Sequence, residues 1–198
     1  MITYDDGKPE LRRSLLAMRS ALTSDEIQKY EAALGHRALD LPELAKARTV
    51  AAYVSVGREP GTRALLDALR ARGVRVLLPV LLSDNDLDWG LYRGPDHLVR
   101  ASRGLLEPDG ERLGPEAVTG ADVVLLPGLA VDARGTRLGR GGGSYDRVLA
   151  RLGRAGADPA LVVLLYDNEL LPRLPKEPHD HPVQAAITPT AVHRFGCA

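Results

Sequence analysis

DVVLLPGLAVDARGTRLGRGGGSYDRVLARLGRAGADPALVVLLY, residues 122–166, reads as two apolar strands joined by a loop and a helix. DVVLLP (122–127) is apolar through its centre, as a strand covered on both faces must be. LVVLLY (161–166) is a second run of the same kind, and a helix spans about Gly143 to Leu152 between them. The pattern repeats outward. TVAAYVS (49–55) is a β-rich run, and Thr62 can cap a helix through Leu65, Leu66 and Leu69 that ends at Gly73. VRVLLP (74–79) is the next strand, LDWGLY (87–92) alternates as a sheet-edge strand does, and QAAIT (184–188) is expected as the last. Two helices precede the first strand. One runs from Pro9, suited to a first helical position, to Ser20. The other opens on a capping box, Thr23 with Glu26, carries Ile27, Tyr30, Ala33 and Leu34 on one side, and ends before Pro42. Helices between apolar strands predict an α/β fold of three layers, α/β/α, around a mostly parallel sheet. Ligands of such sheets bind beyond the carboxyl ends of the strands.

The chain has 198 residues, is 44% apolar and shows no internal repeat, which predicts one domain over 1–198. It has 26 basic and 26 acidic residues, so global charge points to neither nucleic acid nor an anionic membrane as partner. The single cysteine, Cys197, permits no internal disulfide. No segment approaches the roughly 18 apolar residues of a membrane span, and MITYDDGKPELRR does not read as a signal peptide. A cytoplasmic enzyme acting on small molecules, working as a monomer, is the expectation.

The loop between the two quoted strands carries the chemistry. Gly139, Gly141, Gly142 and Gly143 lack side chains, so their N–H groups can turn around an anion. The loop opens into a helix start, which bears partial positive charge. Arg137, Arg140 and Arg147 flank it with planar donors suited to phosphate oxygens. Asp146, in the first helical turn, can hold a metal bridging phosphates or simply stabilise the helix start. A flexible surface loop would use glycine in the same way. The G-x-x-x-x-G-K-[ST] loop is absent, and Gly139 stands more than ten residues beyond Leu126, too far for a dinucleotide fingerprint. Lys8 and Arg12, spaced i, i+4, share a helix face, as a solvated basic stripe also would. HDH (179–181) has no third ligand pattern and reads as loop, with Asp180 a weak site candidate.

RLGRGGGSYDR (137–147) resembles the signature of the 5-formyltetrahydrofolate cyclo-ligases. Four shorter matches occur in order: K-x-x-L-R at Lys8, Leu11 and Arg12; E-x-x-T at Glu59 and Thr62; G-x-x-E-P at Gly104, Glu107 and Pro108; and LPGLAVD (126–132). Ser144, Arg140 and Glu169 depart from the residues common at those positions. The resemblance implies a fold similar to that of sugar-phosphate isomerases and CoA transferases. It implies conversion of 5-formyltetrahydrofolate and ATP, with Mg²⁺, to 5,10-methenyltetrahydrofolate, ADP and phosphate through a phosphorylated formyl group.

On that resemblance, Lys8, Arg137, Arg140 and Tyr145 are expected to be catalytic. Lys8, Arg12, Arg137, Gly139, Arg140, Gly141, Gly142, Gly143, Ser144, Tyr145 and Asp146 are expected around ATP, with Asp146 on the metal. Glu59, Trp89 and Tyr145 are the expected folate contacts, although a strand tryptophan also suits a core. Two other readings stay open on sequence alone: a sugar-phosphate or CoA-transfer enzyme of the same fold, and a nucleotide-binding module without catalysis.

Overall fold

The computed structural model describes residues 7–175 and 181–196. Helix α1 (Lys8–Ala21) starts with proline in its first turn and buries Leu11 and Leu15. Helix α2 (Ser24–Asp40) opens on the expected capping box: Thr23 N–H donates to Glu26 Oε2 at 2.8 Å, and Glu26 N–H donates to the Thr23 hydroxyl at 3.3 Å. A short α3 (Pro42–Lys46) leads to β1 (Thr49–Ala51). Then come α4 (Arg63–Ala71), β2 (Arg75–Leu81), β3 (Leu87–Leu91), β4 (Leu98–Arg100) and β5 (Leu106–Pro108). The second half holds β6 (Val123–Leu126), β7 (Ala130–Asp132), β8 (Arg137–Leu138), α5 (Ser144–Ala155), β9 (Ala160–Leu164), β10 (Leu170–Leu171), β11 (Ala185–Ile187) and β12 (Val192–Arg194).

Seven strands form the main sheet in the order β12-β11-β9-β6-β1-β2-β3. The five inner strands are parallel, and the edge strands β12 and β3 are antiparallel to their neighbours. Period-2 alternation divides the core. Val50, Val76, Leu78, Val123, Leu125 and Val162 pack to the side of α2 and α4 with Leu34, Leu65, Leu66 and Leu69. Ala51, Leu77, Val124, Leu126, Leu161 and Val163 face the other way, against Val148, Leu149 and Leu152 of α5. Both faces are therefore covered, which is the three-layer α/β/α arrangement with a mostly parallel sheet. Helix α1 lies apart, on a smaller sheet β10-β7-β8, where Leu11 and Leu15 meet Leu129, Ala130, Leu138 and Leu171.

Several boundaries differ from the sequence reading. The strand expected over 49–55 ends at Ala51; Ala52 N–H still donates to Leu77 O at 2.8 Å, and the ladder goes no further. Thr62 does precede α4 but gives the helix no side-chain cap. Its hydroxyl instead donates to Tyr53 O at 2.8 Å and accepts from Ser55 N–H at 2.9 Å, which ties down the loop after β1. QAAIT is not the last strand: β12 follows it as an antiparallel edge. The expected HDH loop lies outside the described residues at His179 and Asp180, as does Cys197, while His181 is exposed. Among the described residues no helix is long and apolar enough to cross a membrane.

Candidate active site

From β1 the chain proceeds to β2 and β3 on one side; from the adjacent β6 it proceeds to β9 and β11 on the other. Such a reversal leaves a crevice beyond the carboxyl ends of the two strands. Here it is a cavity of about 370 Å³. Tyr53, Val54 and Glu59 enter it from the loop after β1, Pro127 and Gly128 from the end of β6, and residues 137–146 close one side. Lys8 and Arg12 reach it from α1.

The residues 137–146 are tied in from several directions. Arg137, with its side chain 7% exposed, donates from Nη1 to Pro127 O at 2.9 Å and lies 3.2 Å from Asp146 Oδ1 through Nη2. One guanidinium thus joins the end of β6 to the start of α5. Arg12 Nε donates to Gly139 O at 2.8 Å, fastening α1 to the same loop. Two of the four glycines are conformationally required. Gly141 has φ 92° and Gly143, at the N-cap of α5, has φ 75°, a region that residues with a Cβ rarely occupy. Gly142 is not left-handed, and a Cβ there would meet nothing within 4 Å.

Glu59 faces this loop. Its Oε2 accepts from Val56 N–H at 2.9 Å, fixing the carboxylate on its own turn, and Oε1 lies 3.2 Å from Arg140 Nη2. The Glu59 side chain is 12% exposed, whereas that of Arg140 is 56% exposed. The acidic group is therefore built in, and the basic one is the solvent-exposed member of the pair. Tyr145 lines the cavity with its hydroxyl buried and, among the described residues, without a hydrogen-bond partner. Burial raises its pKa, and the Glu59 charge raises it further against the opposing effect of Arg137. Tyr145 is thus a neutral donor at ordinary pH. The buried Tyr53 hydroxyl is pushed up in the same way, first by burial and then by Glu59.

The structure brings together Lys8, Arg12, Glu59, Arg137, Gly139, Arg140, Gly141, Gly142, Gly143, Ser144, Tyr145 and Asp146 on one cavity. Trp89 is a correction. It is fully buried among Leu77, Leu87 and Val124 on the α5 side of the sheet and is not part of the cavity wall. Alternation along β3 turns its ring into the core. Arg147 points away, 3.2 Å from Asp84. Sequence reasoning missed Tyr53, Leu87, Arg103, Leu105 and Leu106 on the wall. Arg103 has φ 58°, a left-handed position that residue type does not announce. Among the described residues no group of three or more His, Cys, Asp or Glu is placed to hold a metal. Asp146 offers a single carboxylate at the rim, its side chain 53% exposed.

A model of the 5-formyltetrahydrofolate cyclo-ligase family matches residues 5–189. A 5-formyltetrahydrofolate cyclo-ligase of Mycolicibacterium smegmatis is 49% identical over 147 residues, covering 72% of this chain and 74% of that one. The Escherichia coli enzyme of the same name is 34% identical over 176 residues, covering 88% and 96%. The solution structure of Aquifex aeolicus 5,10-methenyltetrahydrofolate synthetase superposes with a TM-score of 0.81 at 29% identity, covering 96% of this chain and 94% of that one.

Proposed function

This chain belongs to the 5-formyltetrahydrofolate cyclo-ligase family, and from that premise we propose that the cavity at the β1–β6 crevice performs the family's ATP-dependent ring closure. The observation that carries the reading is that the cationic glycine-rich wall and the anchored carboxylate of Glu59 face one another across a single cavity. Family membership also removes the reason for a sugar-phosphate reading of the loop.

In this reading the glycine-rich wall takes the phosphates. Lys8, Arg12 and Arg137 supply positive charge, and the start of α5 adds backbone N–H groups. Arg137 is held by Pro127 O and Asp146, so its position costs little reorganisation when negative charge shifts during transfer. Glu59, gripped by Val56 N–H, accepts from the amino-pyrimidine edge of the pterin. Arg140 leaves Glu59 to reach a phosphate. Tyr145 donates its hydroxyl proton in a hydrogen bond to an oxygen of the reacting formyl group. That oxygen takes the γ-phosphoryl group as ADP leaves; N10 then attacks the formyl carbon, phosphate departs with the oxygen, and N10 releases its proton to water as the ring closes. The residues present fit Mg²⁺ only in the manner usual for nucleotide sites, one carboxylate together with water and phosphate oxygens. Asp146 would be that carboxylate, and the ion would neutralise phosphate charge. We take one chain as the working unit, in the cytoplasm.

The test is absorbance in the near ultraviolet, where methenyl product absorbs and 5-formyltetrahydrofolate does not. Product should form only with ATP and a divalent metal. Asp146→Asn should raise the Mg²⁺ concentration needed for turnover more than it weakens nucleotide binding. No product from folded protein with any divalent metal would overturn the assignment.

A further inference from the structure

Arg19 and Glu169 take no part in the reading above, yet they are among the most deeply placed charges in the molecule, 4% and 1% exposed. A pair removed so far from water is costly unless each member is well bonded. Both are. Arg19 Nε donates to Glu169 Oε1 at 2.6 Å, and Nη2 donates to Oε2 at 2.9 Å and to Gly128 O at 2.7 Å. Glu169 Oε2 also accepts from Tyr166 N–H at 2.9 Å, and the guanidinium lies 5.7 Å from the centre of the Tyr166 ring. Burial alone would pull the Arg19 pKa down, but the hydrogen bonds and charge of Glu169 hold it above its ordinary value.

The location of this fork gives it meaning. At 3.6 residues per turn, Lys8, Arg12, Leu15 and Arg19 fall within about 60° of one another around α1. The same stripe that carries two cations to the cavity ends, about 16 Å along the axis, in the buried fork. Helix α1 has no seat on the main sheet. Its apolar contacts are with the small cluster around Leu129, Ala130, Leu138 and Leu171, and apolar contacts alone set a helix's rotation loosely. A bidentate guanidinium sets direction as well as distance. Gly128, the third partner, is itself a cavity residue.

We infer that Arg19, gripped by Glu169 and Gly128 O, is a positioning residue that fixes the rotation of α1 and so the approach of Lys8 and Arg12 to the glycine-rich wall. The inference rests on the reading of that wall as the phosphate site. Stability and position can be separated here, because replacing both members of a buried pair with apolar groups of similar size is often neutral for folding, whereas removing one is not.

The experiment compares thermal midpoint, ATP dissociation constant and folate KM in the parent, in Arg19→Met/Glu169→Leu and in Arg19→Lys. The double variant should melt near the parent but bind ATP about tenfold more weakly, with folate KM changed by less than about twofold. Arg19→Lys keeps the charge without the fork and should weaken ATP in the same direction. Should the double variant not fold, Arg19→Lys carries the test by itself. On a Lys8→Ala/Arg12→Ala background, Arg19→Lys should change ATP affinity by less than about twofold, since it acts through those two residues. Parent-like ATP binding by the folded Arg19 variants, or a full further loss on that background, would overturn the inference. No ATP binding by the parent would sink the phosphate reading itself, and the inference with it.

Discussion

The two walls of the cavity are built by opposite means. The glycine-rich wall is one continuous run, residues 137–146, whose shape depends on backbone torsions at Gly141 and Gly143 and on a guanidinium tethered at Pro127. The opposite wall is collected from the loop after β1, the ends of β2 and β3, and the segment entering β5, which supply Tyr53, Glu59, Pro79, Leu87, Leu105 and Leu106. A wall made of backbone conformation must keep particular residues in order, so it writes a motif. A wall made of side chains gathered by the sheet needs mostly apolar bulk at strand ends, and beyond the short matches at Glu59 and Gly104–Pro108 it leaves little local trace.

If the walls divide the two substrates between them, their variants should divide as well. The largest effect is expected at Lys8. Lys8→Ala should lower turnover about 100-fold or more, the loss typical of removing one group that stabilises transferring charge. Its melting should move by less than about 0.5 kcal/mol. Unchanged turnover would break the comparison at its cationic side.

Glu59→Gln comes next. Losing a charged acceptor should raise the folate KM by about 10- to 100-fold and leave the ATP KM within about threefold. Equal weakening of both substrates would mean that the walls are not separate. Gly141→Ala should act on the other wall with smaller size. A Cβ there sits 3.3 Å from Arg12 Cζ at φ 92°, so the loop must shift, and ATP affinity should fall about fivefold while folate KM holds. Nucleotide titration of the folded variant decides this; parent-like affinity would show that the loop geometry is not what the phosphates use. Trp89→Phe should matter least to catalysis. It empties part of the core behind the cavity, costing about 1–2 kcal/mol in a denaturant melt, with both KM values unchanged. A raised folate KM would restore the tryptophan to the wall.

The inner strands were legible because doubly covered strands are apolar without interruption, as in Val123–Leu126 and Ala160–Leu164. The capping box at Thr23 and Glu26 was legible because its chemistry is local. The end of β1 was not, because Ala52 to Val54 are as apolar and β-prone as the strand they follow, and only the cavity explains why they leave it. Thr62 looked like a helix cap, but tertiary partners at Tyr53 and Ser55 had a stronger claim on its hydroxyl. The glycine-rich loop and Asp146 announced themselves by composition at a helix start. Arg19 did not, since nothing in one helix reveals that its partners lie at 128 and 169.

That separation has a kinetic consequence. The contacts that seat α1 span 109 residues to Gly128, 127 to Gly139 and 150 to Glu169. On a ribosome the helix bearing Lys8 and Arg12 emerges well before its anchor can form, because residue 169 has still to be made. At about 5–20 residues per second, that interval is roughly 8–30 s. Closing loops of this length also costs entropy before the contacts return anything. Helix α1 is therefore made long before it can be fastened, and Lys8 and Arg12 are fixed at the cavity only after Glu169 has been added.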